Sequence, residues 1–178
     1  NPQNAYDLLL HSFIDQNPVI FMEHKLTYKI KDNVVLNGMP SSSDLLGKAN
    51  IESEGNEITI VSYSNMVNVV KDAISSDELS GTSVELIDLQ TLSPLDMETI
   101  LSSVTKTEKL LVCQEAPANS SVGSTVISNV VQSGAFSSLS IAPKLVSGLH
   151  SPMPSAKHLE TTVIPQKEDI IQVIKDMV

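Results

Sequence analysis

Apolar positions along this chain follow two regimes, separated by a stretch that follows neither. Between Asn4 and Gln16, the residues Leu8, Leu9, Leu10, Phe13 and Ile14 recur at helical spacing, which predicts a helix. Asn17-Pro18 ends it, because proline lacks an N–H and biases the residue before it away from helical geometry. The continuous run Val19-Ile20-Phe21-Met22 then predicts a buried strand. From about Thr27 to Asp44 periodicity is lost. Gly38, Pro40 and Ser41-Ser42-Ser43 read there as a connection. One helix and one strand cannot close a core, so residues 1–26 are expected to be the tail of a preceding domain, with 27–43 as linker.

Beyond the connection, strand and helix patterns alternate. Ile58-Thr59-Ile60-Val61 predicts a strand entering a helix capped by Ser64, with Met66, Val67, Val69, Val70, Ala73 and Ile74 on its apolar side. Gly81 marks a turn before a strand over Val84 to Leu89. In Ser93-Pro94-Leu95-Asp96, a serine cap, a proline at the first helical position and an acid at the third predict a helix running to about Val104. Leu110-Leu111-Val112-Cys113 predicts a strand ending at Glu115-Ala116-Pro117, and Gly123 to Gln132 a helix stopped by Gly134. Leu145-Val146 anchors a further strand, and Asp169 to Met177 a last helix. Gly47 to Glu52 can pair as an extra edge strand. Such alternation implies a doubly wound α/β domain over residues 44–178, its mostly parallel sheet covered on both faces.

Composition narrows the function. The 178 residues carry 11 basic side chains, all lysine, against 21 acidic ones, a net charge of −10. A nucleic-acid binder would present a basic face and arginine forks, so that class is excluded. One cysteine forbids an internal disulfide or a multi-cysteine zinc site. No apolar run reaches the roughly 18–20 residues of a membrane span. The start Asn1-Pro2-Gln3 shows neither an initiator methionine nor a signal-peptide pattern, and reads as a piece of a longer protein.

In a doubly wound sheet, ligands sit beyond the carboxyl ends of the strands. Here those ends are Ser62-Tyr63-Ser64, Asp88 to Ser93, Gln114-Glu115-Ala116-Pro117 and Ser147-Gly148-Leu149-His150. None of the seven glycines forms a phosphate-binding turn. His11, His24, His150 and His158 lack metal-ligand spacing and read as surface or structural histidines. There is no nucleophile-elbow serine. Cys113 lies within an apolar strand as an inert thiol, and Glu115, the carboxylate best placed at a strand end, reads as a cap or subunit contact. On residues alone, this is an α/β domain with no evident active site.

Several strings, in order, resemble the β subunit of the thiamine-diphosphate-dependent E1 component of 2-oxo acid dehydrogenase complexes, of pyruvate or branched-chain type. They are Asn17-Pro18-Val19-Ile20-Phe21-Met22-Glu23-His24-Lys25, Gly47-Lys48-Ala49, residues 58–64, residues 87–100 around Pro94-Leu95-Asp96, Glu115-Ala116-Pro117, Pro152-Met153-Pro154 and Ile164-Pro165. The resemblance implies a three-layer α/β/α transketolase-type C-terminal domain over residues 44–178, with a five-stranded, mostly parallel sheet and an antiparallel edge strand near Gly47 to Glu54. It implies that residues 1–26 close a pyrimidine-binding domain. It also implies oxidative decarboxylation of a 2-oxo acid, with acyl transfer to lipoyl-E2, using thiamine diphosphate and magnesium held elsewhere in the full enzyme. No catalytic, cofactor or metal residue is expected in this region. Its implied partners are the E1 α subunit, a second β chain and the basic subunit-binding domain of E2, the last engaging Asp176 and the terminal carboxylate of Val178. Gln90 and His150 depart from the family pattern. A bacterial cytoplasm, or a mitochondrial matrix, is the expected setting. Competing readings are the C-terminal domain of a transketolase or deoxyxylulose-phosphate synthase, and a free-standing, non-catalytic assembly module.

Overall fold

The computed structural model describes all of residues 1–178. Five strands form one sheet in the order β1-β3-β2-β4-β5: β1 (Asn50–Ser53), β2 (Ile58–Ser62), β3 (Val84–Asp88), β4 (Leu110–Pro117) and β5 (Lys144–Gly148). β1 runs antiparallel to β3, and every other pairing is parallel. The expected mixed sheet and its antiparallel edge strand are therefore present.

Strand alternation sends side chains to opposite faces, and each face carries its own core. Ile58, Ile60, Leu86, Leu111, Cys113 and Val146 meet α2 (Met66–Ile74) and the last helix, α6 (Lys167–Lys175), through Met66, Val70, Ile170 and Ile174. Val61, Ile87, Leu110 and Val112 face α3 (Met97–Thr107) and α4 (Val122–Gln132), which contribute Ile100, Val104, Val126 and Val130. Three layers result. Under α3, the Thr59 hydroxyl lies 2.6 Å from both Ser103 Oγ and Thr107 Oγ1, so three buried hydroxyls satisfy one another without water.

Four local expectations need correction. First, Val19–Met22 forms no strand; it is irregular, and Ile20 and Met22 are exposed. A strand exists only with a ladder partner, and no strand of the sheet lies beside this run. Second, Ser64 does not cap α2. It adopts φ +58°, and Asn65 stands at the cap without a side-chain bond. Third, α3 begins three residues later than the Ser93-Pro94 pattern predicts. The Ser93–Pro94 peptide is cis, and Asp96 is the cap, accepting from the Thr99 N–H at 3.1 Å and the Thr99 hydroxyl at 2.8 Å. Fourth, Gly134 opens a short 3-10 turn (Gly134–Ser138), and α4 ends on an extended Ser133.

Two helices stand outside both cores. α1 (Pro2–Ile14) forms where helical spacing predicts it but buries no residue. α5 (Lys157–Val163) follows the Pro152-Met153-Pro154 loop, where the pattern predicts nothing, and it too buries no residue. Its short length and lack of a full apolar stripe leave no periodic signal to read.

Candidate functional site

β2 is followed in sequence by β3 on one side, whereas the crossover from β3 passes over β2 to reach β4 on the other. The order reverses between β2 and β4, and the crevice beyond their carboxyl ends is the place where such sheets hold ligands. Ser62 closes its floor, its hydroxyl donating to the Cys113 carbonyl at 3.0 Å.

The β4 side is built by a bulge. Pairing with β5 shifts register between Cys113 and Pro117, so Gln114, Glu115 and Ala116 leave the regular ladder. Gln114 is fully buried and holds the bulge: its amide donates to the Ala116 carbonyl at 2.9 Å and the Pro117 carbonyl at 3.2 Å. Its Oε1 accepts from the Gly123 N–H at 2.8 Å in the first turn of α4. β5 closes on this bulge only through Gly148, where a Cβ would come within 2.2 Å of the Glu115 carbonyl oxygen. The Glu115 carboxylate is thus displayed from a rigid frame. Burial first, and the Glu115 charge second, raise the Tyr63 phenol above its ordinary value.

Across the crevice stands His24, from a segment that the pattern treats as a tail. Its Nε2 lies 3.2 Å from Glu115 Oε2, with both side chains 27 % exposed. Its Nδ1 accepts from the Leu26 N–H at 3.3 Å and caps the 3-10 turn Lys25–Lys29.

At the end of β3, Asp88 is pushed up to about 6, chiefly by burial and also by the Glu52 charge, against the opposing hydrogen bond from the Gln90 N–H. Gln90 itself takes φ +52°, a left-handed turn conformation. One strand over, the edge is clamped. Asp96 Oδ2 accepts from the Ala49 N–H at 3.0 Å, and the Gly47 N–H donates to Thr91 Oγ1 at 3.1 Å. Burial would raise the Asp96 carboxyl, but the bonds from Ala49 and Thr99 outweigh it and hold the group below its usual range. Gly47 stands at φ +85°, and a Cβ there would meet the Pro94 ring at 2.9 Å. Gly47-Lys48-Ala49 and the string around Pro94-Leu95-Asp96 therefore touch, which separate readings of the two strings do not reveal.

The remaining histidines do not join the crevice. His11 lines a hollow between α1 and residues 37–45, with Asp7, Asn37 and Pro40, while His150 is exposed after β5. Cys113 is fully buried, and burial raises its thiol pKa. At the chain's end, Asp176 follows α6. It lies 3.9 Å from Lys144 Nζ and accepts from the Gln172 side chain at 2.9 Å. Met177 is buried in the core, and Val178 is exposed. Asp176 and Val178 thus flank a residue that anchors the terminus to the fold. The contacts missed from sequence, His24–Glu115 and Ala49–Asp96, each join residues far apart in the chain and leave no local signal.

Comparison with known proteins agrees with this architecture. Residues 47–170 match the model of the transketolase C-terminal domain. The chain is 36 % identical, over 98 % of its length, to the pyruvate dehydrogenase E1 component subunit beta of Rickettsia conorii, of which it spans 53 %. It is 35 % identical to the acetoin:2,6-dichlorophenolindophenol oxidoreductase subunit beta of Cupriavidus necator, over 95 % of its own length and 50 % of that protein. It thus spans about half the length of these curated relatives. A split-gene transketolase, solved as an inactive beta4 tetramer, superposes with a TM-score of 0.61 at 19 % identity, over 74 % of this chain and 42 % of that one. The matched family region begins at the clamped edge strand and ends within α6, taking in both core clusters apart from Ile171, Ile174 and Met177. The chain belongs to the transketolase C-terminal domain family.

Proposed function

We propose that this chain is the C-terminal part of a 2-oxo acid dehydrogenase E1 β subunit and that it serves subunit assembly and docking rather than the chemical step. The observation that carries the reading is similarity along nearly the whole chain to E1-type β subunits about twice as long. The transketolase alternative rests on a structural likeness at only 19 % identity. Residues 1–26 would then close a preceding pyrimidine-binding domain, with 27–43 as linker and 44–178 as the complete second domain. The exposure of Phe13, Ile20, Met22 and Leu26 supports this, because such side chains are normally covered in a finished molecule.

The full enzyme would use thiamine diphosphate and magnesium to decarboxylate pyruvate, a branched-chain 2-oxo acid or a related substrate, and would pass the acyl group to lipoyl-E2. The chain's own crevice does not suit that cofactor. It presents the Glu115 carboxylate where a diphosphate would need cations or free amide donors. The pyrimidine-binding domain, the E1 α subunit and a second β chain would supply the site. A net charge of −10 favours the basic subunit-binding domain of E2 as docking partner. Its contacts would be Asp176 and the Val178 carboxylate. No helix is long and apolar enough to cross a membrane, and we place the protein in a bacterial cytoplasm, with a mitochondrial matrix as the second setting.

Two experiments test this. The reading requires a pyrimidine-binding domain of roughly 150 residues encoded immediately upstream; a start codon at that point instead would favour a free-standing assembly module. For docking, truncation from Asp176 is a poor probe, because it also removes the buried Met177. Asp176→Lys is better. Binding to the E2 subunit-binding domain should fall by roughly tenfold at low salt, and the difference should shrink as salt rises. Equal affinity of the two forms at low salt would end the docking assignment.

A further inference from the structure

The switch-point crevice is the natural ligand position of this sheet, yet the chain itself occupies its mouth. Residues 19–23 carry no regular structure, and residues 25–29 form a single 3-10 turn. Between them, one side chain makes both a local and a long-range contact. His24 Nδ1 accepts from the Leu26 N–H, so the Nε2 edge of the ring is the one left for another partner. That edge of the ring is the one 3.2 Å from Glu115. One imidazole thereby starts the turn and reaches a carboxylate 91 positions away, since 115 − 24 = 91.

The receiving end is stiff. Glu115 sits on a bulge whose carbonyls are tied by buried Gln114, whose next strand closes through Gly148, and whose following helix is bonded by the same Gln114. The His24 end is held by little else. No residue before Ile58 is buried, so the segment has no core contact to fix its path.

We infer that His24 and Glu115 form a latch that closes the β2–β4 crevice and fixes the direction in which the N-terminal segment leaves the sheet. Tyr63 backs it, being close enough to feel the Glu115 charge. The latch stands on this geometry alone and holds whether or not the subunit reading is correct. If residues 1–26 do belong to a preceding domain, the same contact sets the angle between the two domains.

Limited trypsin digestion of the 178-residue chain tests it. Cleavage after Lys25, Lys29 and Lys31 reports the latched segment, and cleavage after Lys106 reports the folded domain. Glu115→Ala should raise cleavage at the first three sites by roughly three- to tenfold, leaving Lys106 unchanged. His24→Asn separates the two roles of the imidazole: asparagine can still cap the turn but is too short to reach Glu115, so it should raise cleavage to the same degree. The double variant should add nothing further, because either change alone opens the latch. Unchanged cleavage in both single variants, additive effects in the double variant, or an equal rise at Lys106 would each overturn the inference.

Discussion

Two apolar runs of equal length meet opposite fates in this molecule. Leu110-Leu111-Val112-Cys113 becomes a fully buried interior strand of the sheet, whereas Val19-Ile20-Phe21-Met22 forms no strand and leaves Ile20 and Met22 in solvent. Composition does not separate them. What differs is the neighbourhood. β4 has β2 on one side and β5 on the other, so its backbone groups are paired and both of its faces are covered. The earlier run has neither a ladder nor a covering layer. Apolar pattern states what a segment needs, and only the rest of the fold supplies it.

The largest break in this comparison should come from cavities. Leu111→Ala removes a fully buried side chain and should cost about 3 kcal/mol in chemical denaturation, whereas Ile20→Ala should stay within about 0.5 kcal/mol. Similar losses at the two sites would mean that the N-terminal run is packed after all. Next comes the edge clamp. Asp96→Ala strips the cap of α3 and leaves the Ala49 N–H without its partner, for a loss of about 2 kcal/mol.

Asp88 sharpens the contrast in a pH-dependent way. Its carboxyl titrates near 6 in the fold against an ordinary 3.8, so the folded state binds the proton more tightly than the unfolded chain. That contribution is complete below pH 3.8 and is lost as pH rises through about 6. Asp88→Asn should therefore match the wild type near pH 4 and exceed it by roughly 1–2 kcal/mol at pH 8. Parallel stability profiles for the two proteins would refute the burial of this carboxylate. The smallest effect is expected at the surface. Lys175 pairs with exposed Glu78, and Lys175→Met should leave the unfolding midpoint unchanged, since water screens such a pair.

Much of the domain was legible in the sequence. Helical spacing located α2, α4 and α6 to within a few residues, and short apolar runs located β2, β3 and β4. The start of α3 was misread because serine and proline satisfy a general preference for helix starts. The actual cap, Asp96, is chosen by a second donor, the Ala49 N–H, 47 positions earlier (96 − 49 = 47). Ser64 was misread for a related reason: a good capping residue caps nothing when its own backbone turns to positive φ. Of the candidate site, Glu115 was legible as a strand-end carboxylate. Its partner His24 was not, since no pattern links a tail histidine to a bulge in β4.

By itself, the sequence determined the alternation of strands and helices, the acidity and the motif strings that resemble E1 β subunits, because each is a property of neighbouring residues or of simple counts. The tertiary structure alone decided which apolar run became a strand, which acid capped α3 and which histidine met Glu115. Each of those depends on backbone and side-chain groups brought together from distant parts of the chain. A hydrogen bond or a buried contact forms only where the fold delivers both partners.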